Sequence, residues 1–338
     1  MPHPYKILVI QTAFIGDVIL ITPLLAALKR HITKCQVTVL VTPAAAEVLQ
    51  NNPWVDQIIR YDKRASQKGL FGFLRLTQLL RSNQYDTILA PHRSWRTALL
   101  ALCTGASRRI GFDANRGACC YTHRQPYRQQ HEIERNLSLL AALDINVRSQ
   151  RPEIFPDEQD CQLVDQLTAG VNSQPGWMAL APGSVWPTKR WPEEHYRALT
   201  DLLLHDGFSV FLIGGDKDRD LCHRIVRGAG PQVINTCGRL SLRASAELLR
   251  RCRGLVTNDS APLHLASTMN TPTLALFGPT IPAFGFAPYA ERSFCMQRTL
   301  DCRPCSTHGS VRCPIGTHAC MIDISVASVY HKLIELTA

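Results

Sequence analysis

The sequence predicts an α/β protein made of two doubly wound, parallel-sheet domains. Short β-branched runs alternate with helical patterns along nearly the whole chain, the signature of parallel strands joined by crossover helices. The alternation occurs twice, on either side of a polar stretch rich in Pro and Gly between residues 148 and 175. At 338 residues the chain is also longer than one ordinary domain. With 45% hydrophobic and 19% charged residues it can bury a sizeable core.

The first series opens with KILVI, residues 6–10, a buried strand leading through a short loop that ends in Gly16-Asp17 into an apolar helical run. A strand feeding a helix begins a parallel α/β unit, and ligands of such folds bind at the carboxyl ends of strands. Asp17 sits in that place; read alone, it is either a helix cap or a group that does chemistry. Thr22-Pro23 follows. Proline removes a backbone donor and clashes with the preceding turn, so the Asp17 turn is expected to stand apart from the helix behind it. Further strands are expected at 36–42, 57–61, 86–90 and 109–112, with helices at 70–81, 97–103 and 133–143. His92, Arg93 and Arg96 follow the fourth strand, on the same rim of the sheet as Asp17.

A helix at 158–167 is expected inside the interdomain stretch. The second series begins with WMALA, residues 177–181, and a loop from Pro182-Gly183-Ser184. Trp191-Pro192-Glu193-Glu194 opens a helix, with Pro near its first position and acids in its first turn. Gly207 fits its stop. Strands at 209–213, 233–235, 254–257 and 273–276 follow, with helices near 218–226 and 242–251. A final helix is expected at 322–336, with Ile322, Val326, Val329, Leu333 and Leu336 as its apolar positions.

The formal charge of +10 is unevenly placed: residues 60–135 hold 14 Lys or Arg against 5 Asp or Glu, a net of +9. An anionic partner is the natural inference, whether nucleic acid, a phosphorylated lipid or a membrane surface; a solvated basic face is the plainer one. No N-terminal stretch combines a basic flank, an apolar core and a small-residue cleavage site, and no apolar run is long enough to span a bilayer, so a cytoplasmic protein is expected. The thirteen cysteines are then better read as thiols than as a disulfide framework. Cys302, Cys305, Cys313 and Cys320 are a separate matter. Their C-x2-C-x7-C-x6-C spacing admits a structural metal, a clasp of free thiols or a disulfide.

Three stretches carry chemistry. SVWPTKRW, residues 184–191, offers the Ser184 hydroxyl and the Lys189 ammonium to a diphosphate. NDSAPLH, residues 258–264, follows a strand and starts a helix, so its backbone N–H groups and dipole would face an anion; Asp259 is otherwise a cap and His264 a satisfied core residue. Gly214-Gly215-Asp216 ends a strand and lets a backbone approach a nucleotide, with Asp216 or Asp218 available to a ribose or base. Neither G-x-G-x-x-G nor G-x-x-x-x-G-K-[ST] occurs where a dehydrogenase or P-loop protein needs it. Two open α/β domains facing across a cleft, with Asp17 on one wall, suggest a nucleotide-sugar transferase of the GT-B type.

IGDVILITPLLAALKR, APGSVWPTKRWPEEHYRAL and TNDSAPLHLAS, in this order, resemble the ADP-heptose:lipopolysaccharide heptosyltransferases of glycosyltransferase family 9. YDTILAPHRSWRTALLALCTGASRRIGF, residues 85–112, looks most like the heptosyltransferase II branch. The resemblance implies a GT-B fold with an acceptor-binding domain at 1–165, a nucleotide-sugar-binding domain at 176–321, and a last helix, 322–338, returning to the first domain. It implies an inverting transfer with Asp17 as general base, without a metal and with no cofactor beyond the donor ADP-heptose. It makes Lys189 the holder of the donor phosphates, with Ser184 beside them and Asp259, Ser260, Ala261 and His264 lining the pocket, and Asp216 is assigned to the same donor site. His92, Arg93 and Arg96 would meet an anionic inner-core lipopolysaccharide acceptor at the inner membrane, where a monomer is expected to make peripheral contact. A nucleic-acid partner is not expected.

Overall fold

The computed structural model describes residues 4–63 and 67–338; Arg64, counted in the basic region, lies outside them. The chain divides into two compact units between Phe155 and Pro156.

Unit 1 is a six-stranded, wholly parallel sheet in the order β3-β2-β1-β4-β5-β6. Its elements are β1 (Tyr5–Gln11), α1 (Ile15–Leu20), α2 (Thr22–His31), β2 (Cys35–Val41), α3 (Pro43–Ala46) and β3 (Gln57–Arg60), then α4 (Gly69–Ser82), β4 (Thr87–Ala90), α5 (Trp95–Cys103), β5 (Arg108–Phe112), β6 (His123–Gln125) and α6 (Glu132–Ser138). Ile7, Leu8, Val9 and Ile10 of β1 are wholly buried, as a central strand covered on both faces requires. The expected break behind Asp17 is present: α1 stops at Leu20, and α2 starts at Thr22 with Pro23 in its first turn. The Thr22 hydroxyl donates to the Ile19 carbonyl at 2.8 Å and accepts from the Glu153 N–H at 2.9 Å, which fixes the junction.

Unit 2 repeats the construction, with sheet order β12-β11-β10-β7-β8-β9 and every pairing parallel. It comprises α7 (Glu158–Thr168), β7 (Trp177–Ala181), α8 (Glu193–His205), β8 (Ser209–Leu212), α9 (Arg219–Ile225), β9 (Val233–Asn235) and α10 (Leu242–Arg251), followed by β10 (Gly254–Asn258), α11 (Ala261–Met269), β11 (Thr273–Phe277), β12 (Ser293–Gln297), α12 (Ala319–Ile322) and α13 (Val326–Thr337).

Three details differ from the sequence expectation. The helix expected at 158–167 inside the interdomain stretch is α7 and packs as part of unit 2: Arg243 on α10 meets Asp157 at 3.0 Å and Asp160 at 3.2 Å, and Arg251 meets Asp165 at 2.5 Å. The final helix is split: Ser325 caps α13 by accepting from the Ser328 N–H at 3.2 Å, and Ile322 is left exposed on α12. The buried face of α13, Val329 and Leu333, completes the core of unit 2 with Trp191 and Leu276. The Trp191 indole, which donates to the Ile324 carbonyl at 2.9 Å, anchors the chain as it enters that helix. The short edge strands β6 and β12 were not expected. Both are only partly buried and carry little of the β-branched pattern that marks the interior strands.

Candidate active site

In a doubly wound sheet the chain runs outward from a central strand to one edge, then returns to run to the other. The crevice lies where the two directions part, at the carboxyl ends of two adjacent strands. In unit 1 these strands are β1 and β4; in unit 2 they are β7 and β10. Most of the candidate residues fall on these four strand ends.

At the β1/β4 crevice, Asp17 lies in the first turn of α1, not in the preceding loop. Phe14 is the capping residue, and its N–H donates to Asp17 Oδ2 at 3.1 Å. The cap reading and the chemical reading therefore meet in one carboxylate. The loop before it is held from two sides: Lys63 donates to the Thr12 carbonyl at 2.7 Å, and His92 Nδ1 lies 3.2 Å from both Thr12 Oγ1 and Thr97 Oγ1. Burial, with Lys63 and Arg93 nearby, pushes the His92 pKa down to about 4, so the ring is neutral and serves as a hydrogen-bonding strut. Arg93 is exposed and lays its guanidinium 3.8 Å from the centre of the Tyr127 ring. Arg96 is exposed against Trp95.

Sequence reasoning missed a carboxyl group whose charge couples to Asp17. Glu132, at the start of α6, is 7% exposed and meets Arg135 Nη2 at 2.7 Å. Arg135 also lies over the Tyr127 ring, at 4.7 Å. Burial raises the Glu132 pKa to about 7 against the pull of Arg135, and the negative charge of Asp17 raises it further. Unit 1 thus presents a second carboxyl group near Asp17 that is able to hold a proton at neutral pH. The available signal was an acid and a base three residues apart, Glu132 and Arg135, on a short helix at the C-terminal end of the basic region.

At the β7/β10 crevice, Lys189 Nζ contacts Asp259 Oδ2 at 2.5 Å, with both side chains largely buried. Thr280, beyond β11, donates to the same Oδ2 at 2.7 Å. Lys189 is therefore not a loose cation. Asp259 occupies one of its three donors and aims the others. Around this pair, Asn258 donates to the Pro182 carbonyl at 2.8 Å and accepts from the Trp191 N–H at 3.0 Å, tying the two strand ends together. Ser184 is buried; its carbonyl accepts from Arg190 Nε and Nη2 at 2.9 and 2.7 Å, which closes the 184–190 loop. Ser260 caps α11 through its backbone only, leaving the N–H end with no side-chain cap; Ala261 is the first helical residue, and His264 is buried edge-on to Phe286. Asp216 stands apart, with its side chain 82% exposed and paired with Arg219. Asp218 is the acid that reaches the β7 loop: a Cβ on Gly183 would lie 2.3 Å from its Cγ, so any larger residue there would have to displace the Asp218 carboxylate.

The cysteine-rich segment forms a clasp on the Lys189 loop. Thr188 Oγ1 donates to the Ser310 carbonyl at 2.8 Å and accepts from the Ser310 N–H at 2.9 Å, while His318 Nε2 meets the Thr188 carbonyl at 2.8 Å. Arg303 binds the carbonyls of Phe277 and Thr280 at the end of β11, at 3.1 and 2.9 Å. Cys302, Cys305, Cys313 and Cys320 line one small pocket as free thiols. Among the described residues no group of His, Cys, Asp or Glu is arranged to hold a metal ion.

Comparison with known proteins gives this geometry a context. The sequence profile of glycosyltransferase family 9 (heptosyltransferase) matches residues 73–314. The chain is 26% identical to lipooligosaccharide heptosyltransferase 2 of Haemophilus ducreyi, over 98% of this chain and 99% of that one. It is 30% identical to lipopolysaccharide heptosyltransferase 1 of Pseudomonas aeruginosa, over 89% of this chain and 86% of that one. The fold matches that of ADP-heptose lipopolysaccharide heptosyltransferase II of Escherichia coli with a TM-score of 0.80 at 24% identity, covering 98% of both chains.

Proposed function

The chain belongs to glycosyltransferase family 9 (heptosyltransferase), and from that premise we propose that it moves heptose from ADP-L-glycero-D-manno-heptose to the inner core of lipopolysaccharide. In this reading the β7/β10 crevice takes the ADP diphosphate. The observation that carries it is the Lys189–Asp259–Thr280 arrangement beside the open N-terminus of α11. A lysine held by one carboxylate keeps two N–H donors for phosphate oxygens, and an uncapped helix end adds backbone N–H groups and its dipole.

The reaction proceeds with inversion. The acceptor hydroxyl attacks the anomeric carbon from the face opposite the diphosphate; the new C–O bond forms as the bond to the ADP oxygen breaks, and the hydroxyl proton passes to Asp17. Negative charge collects on the departing ADP, where Lys189 and the α11 N-terminus lower its energy, so no divalent ion is called upon. Arg93 and Arg96 meet the carboxylates and phosphates of the acceptor. Ser184, Ser260, Ala261 and His264 line the donor pocket. The enzyme acts as a monomer at the cytoplasmic face of the inner membrane, in peripheral contact with it.

Replacing Asp17 tests this reading. Asp17→Ala is expected to fold and to bind ADP as the parent does while kcat falls by about 10^3, within the range of a lost general base. Transfer at the parent rate would remove Asp17 from the chemistry.

A further inference from the structure

One helix carries an apolar outer face in a cationic setting. α4 buries Leu76 and Leu80 in the core of unit 1. On its other side Leu70, Phe71 and Leu74 are 69%, 88% and 52% exposed. At about 100° per residue these three fall within an arc of about 100° over the first turns of the helix. A helix on the surface of a globular protein normally places polar side chains there. The charged residues on this stretch carry one sign: Lys68, Arg75 and Arg81 are all exposed, and between Asp62 and Asp86 the sequence contains five Lys or Arg and no acid.

We propose that α4 is a membrane-docking helix, which seats Leu70, Phe71 and Leu74 at the headgroup–acyl boundary of an anionic bilayer while Lys68, Arg75 and Arg81 meet the lipid phosphates. A cationic helix with an apolar arc lies in the plane of such an interface, held by buried apolar area together with attraction to anionic lipid. The charge complementarity decides the occupant. A second copy of this chain would set like charges against one another. Nucleic acid would satisfy the cations and leave the three apolar side chains in water. The docking would keep the enzyme beside a lipid-anchored acceptor; for that purpose it rests on the proposed transfer to lipopolysaccharide, but its test reads membrane binding, so either reading can fail while the other stands.

The test is flotation of the full chain with vesicles of phosphatidylcholine alone and of phosphatidylcholine mixed with phosphatidylglycerol. The parent is expected to float with the anionic vesicles, less at raised salt, and not with the neutral ones. The double variant Phe71→Ser/Leu74→Ser is expected to lower the partition coefficient at least about tenfold, with the thermal midpoint and transfer to a delipidated acceptor unchanged. A Phe71→Trp variant gives a separate readout, a blue-shifted emission on anionic vesicles. The proposal is overturned if the parent does not float with anionic vesicles, if the double variant floats as the parent does, or if the added indole of Phe71→Trp shows no shift in emission on floated protein. It is also overturned if the double substitution abolishes self-association or DNA binding in a protein that never binds vesicles.

Discussion

The two crevices have the same topology and opposite chemistry. Each lies between two adjacent central strands of a six-stranded parallel sheet at the point where the winding reverses. The β1/β4 crevice gathers carboxyl groups, Asp17 and Glu132, among arginines and Tyr127. The β7/β10 crevice gathers one lysine, fixed by Asp259, beside an open helix end. Winding thus decides where a ligand can sit, and a few side chains on the strand-end loops decide which charge it meets: in the proposed reaction the first crevice would take a proton and the second an anion.

After the loss expected for Asp17→Ala, the largest effect is at Lys189. Lys189→Ala should lower kcat by about 10^2 to 10^3, as the loss of a group facing developing charge does. It should also destabilise the protein, because Asp259 is left buried without its cation. Steady-state kinetics and urea unfolding measure both. Adding Asp259→Asn should recover stability but not turnover. Recovery of turnover in the double variant would mean that Lys189 serves the fold alone.

The Glu132 carboxyl sharpens the contrast through pH. Its pKa is about 7 in the folded protein against about 4.5 when unperturbed. Below pH 4.5 both states hold the proton. As the pH rises the unfolded chain ionises first, so folding loses stability until about pH 7 and no more beyond. The full loss is about 3 kcal/mol. Glu132→Gln should remove this component, so its urea-unfolding stability should fall less than that of the parent between pH 5 and pH 8. Identical pH profiles would place no titrating burden on the β1/β4 crevice.

The smallest effect concerns the clasp. Thr188→Val loses two hydrogen bonds to Ser310 and should raise the KM for the nucleotide-sugar about threefold to tenfold, with stability down by about 1 to 2 kcal/mol. An unchanged KM would make the cysteine-rich segment a passive cover.

Most of the architecture was legible in the sequence because buried parallel strands write themselves as β-branched runs, as in ILVI of β1 and LVT of β10. The edges were not. β6 and β12 lack that run, and α7 reads as a linker helix until Arg243 and Arg251 on α10 claim its acids. At the site, Asp17, Lys189 and Asp259 were visible because each follows a strand, but their couplings were not. That Lys189 pairs with Asp259, or that Glu132 lies near Asp17, depends on contacts between elements far apart in the chain. Asp216 shows the reverse: it stands at a strand end as expected, yet its side chain turns outward to Arg219.

The most direct test of the account is to incubate the purified protein with ADP-heptose and a defined inner-core acceptor, with a panel of other nucleotide-sugars in parallel, and to determine product mass and linkage. The account predicts an acceptor extended by one heptose from ADP-heptose alone, with inverted anomeric configuration. Transfer from another nucleotide-sugar with none from ADP-heptose, or a product of retained configuration, would contradict it.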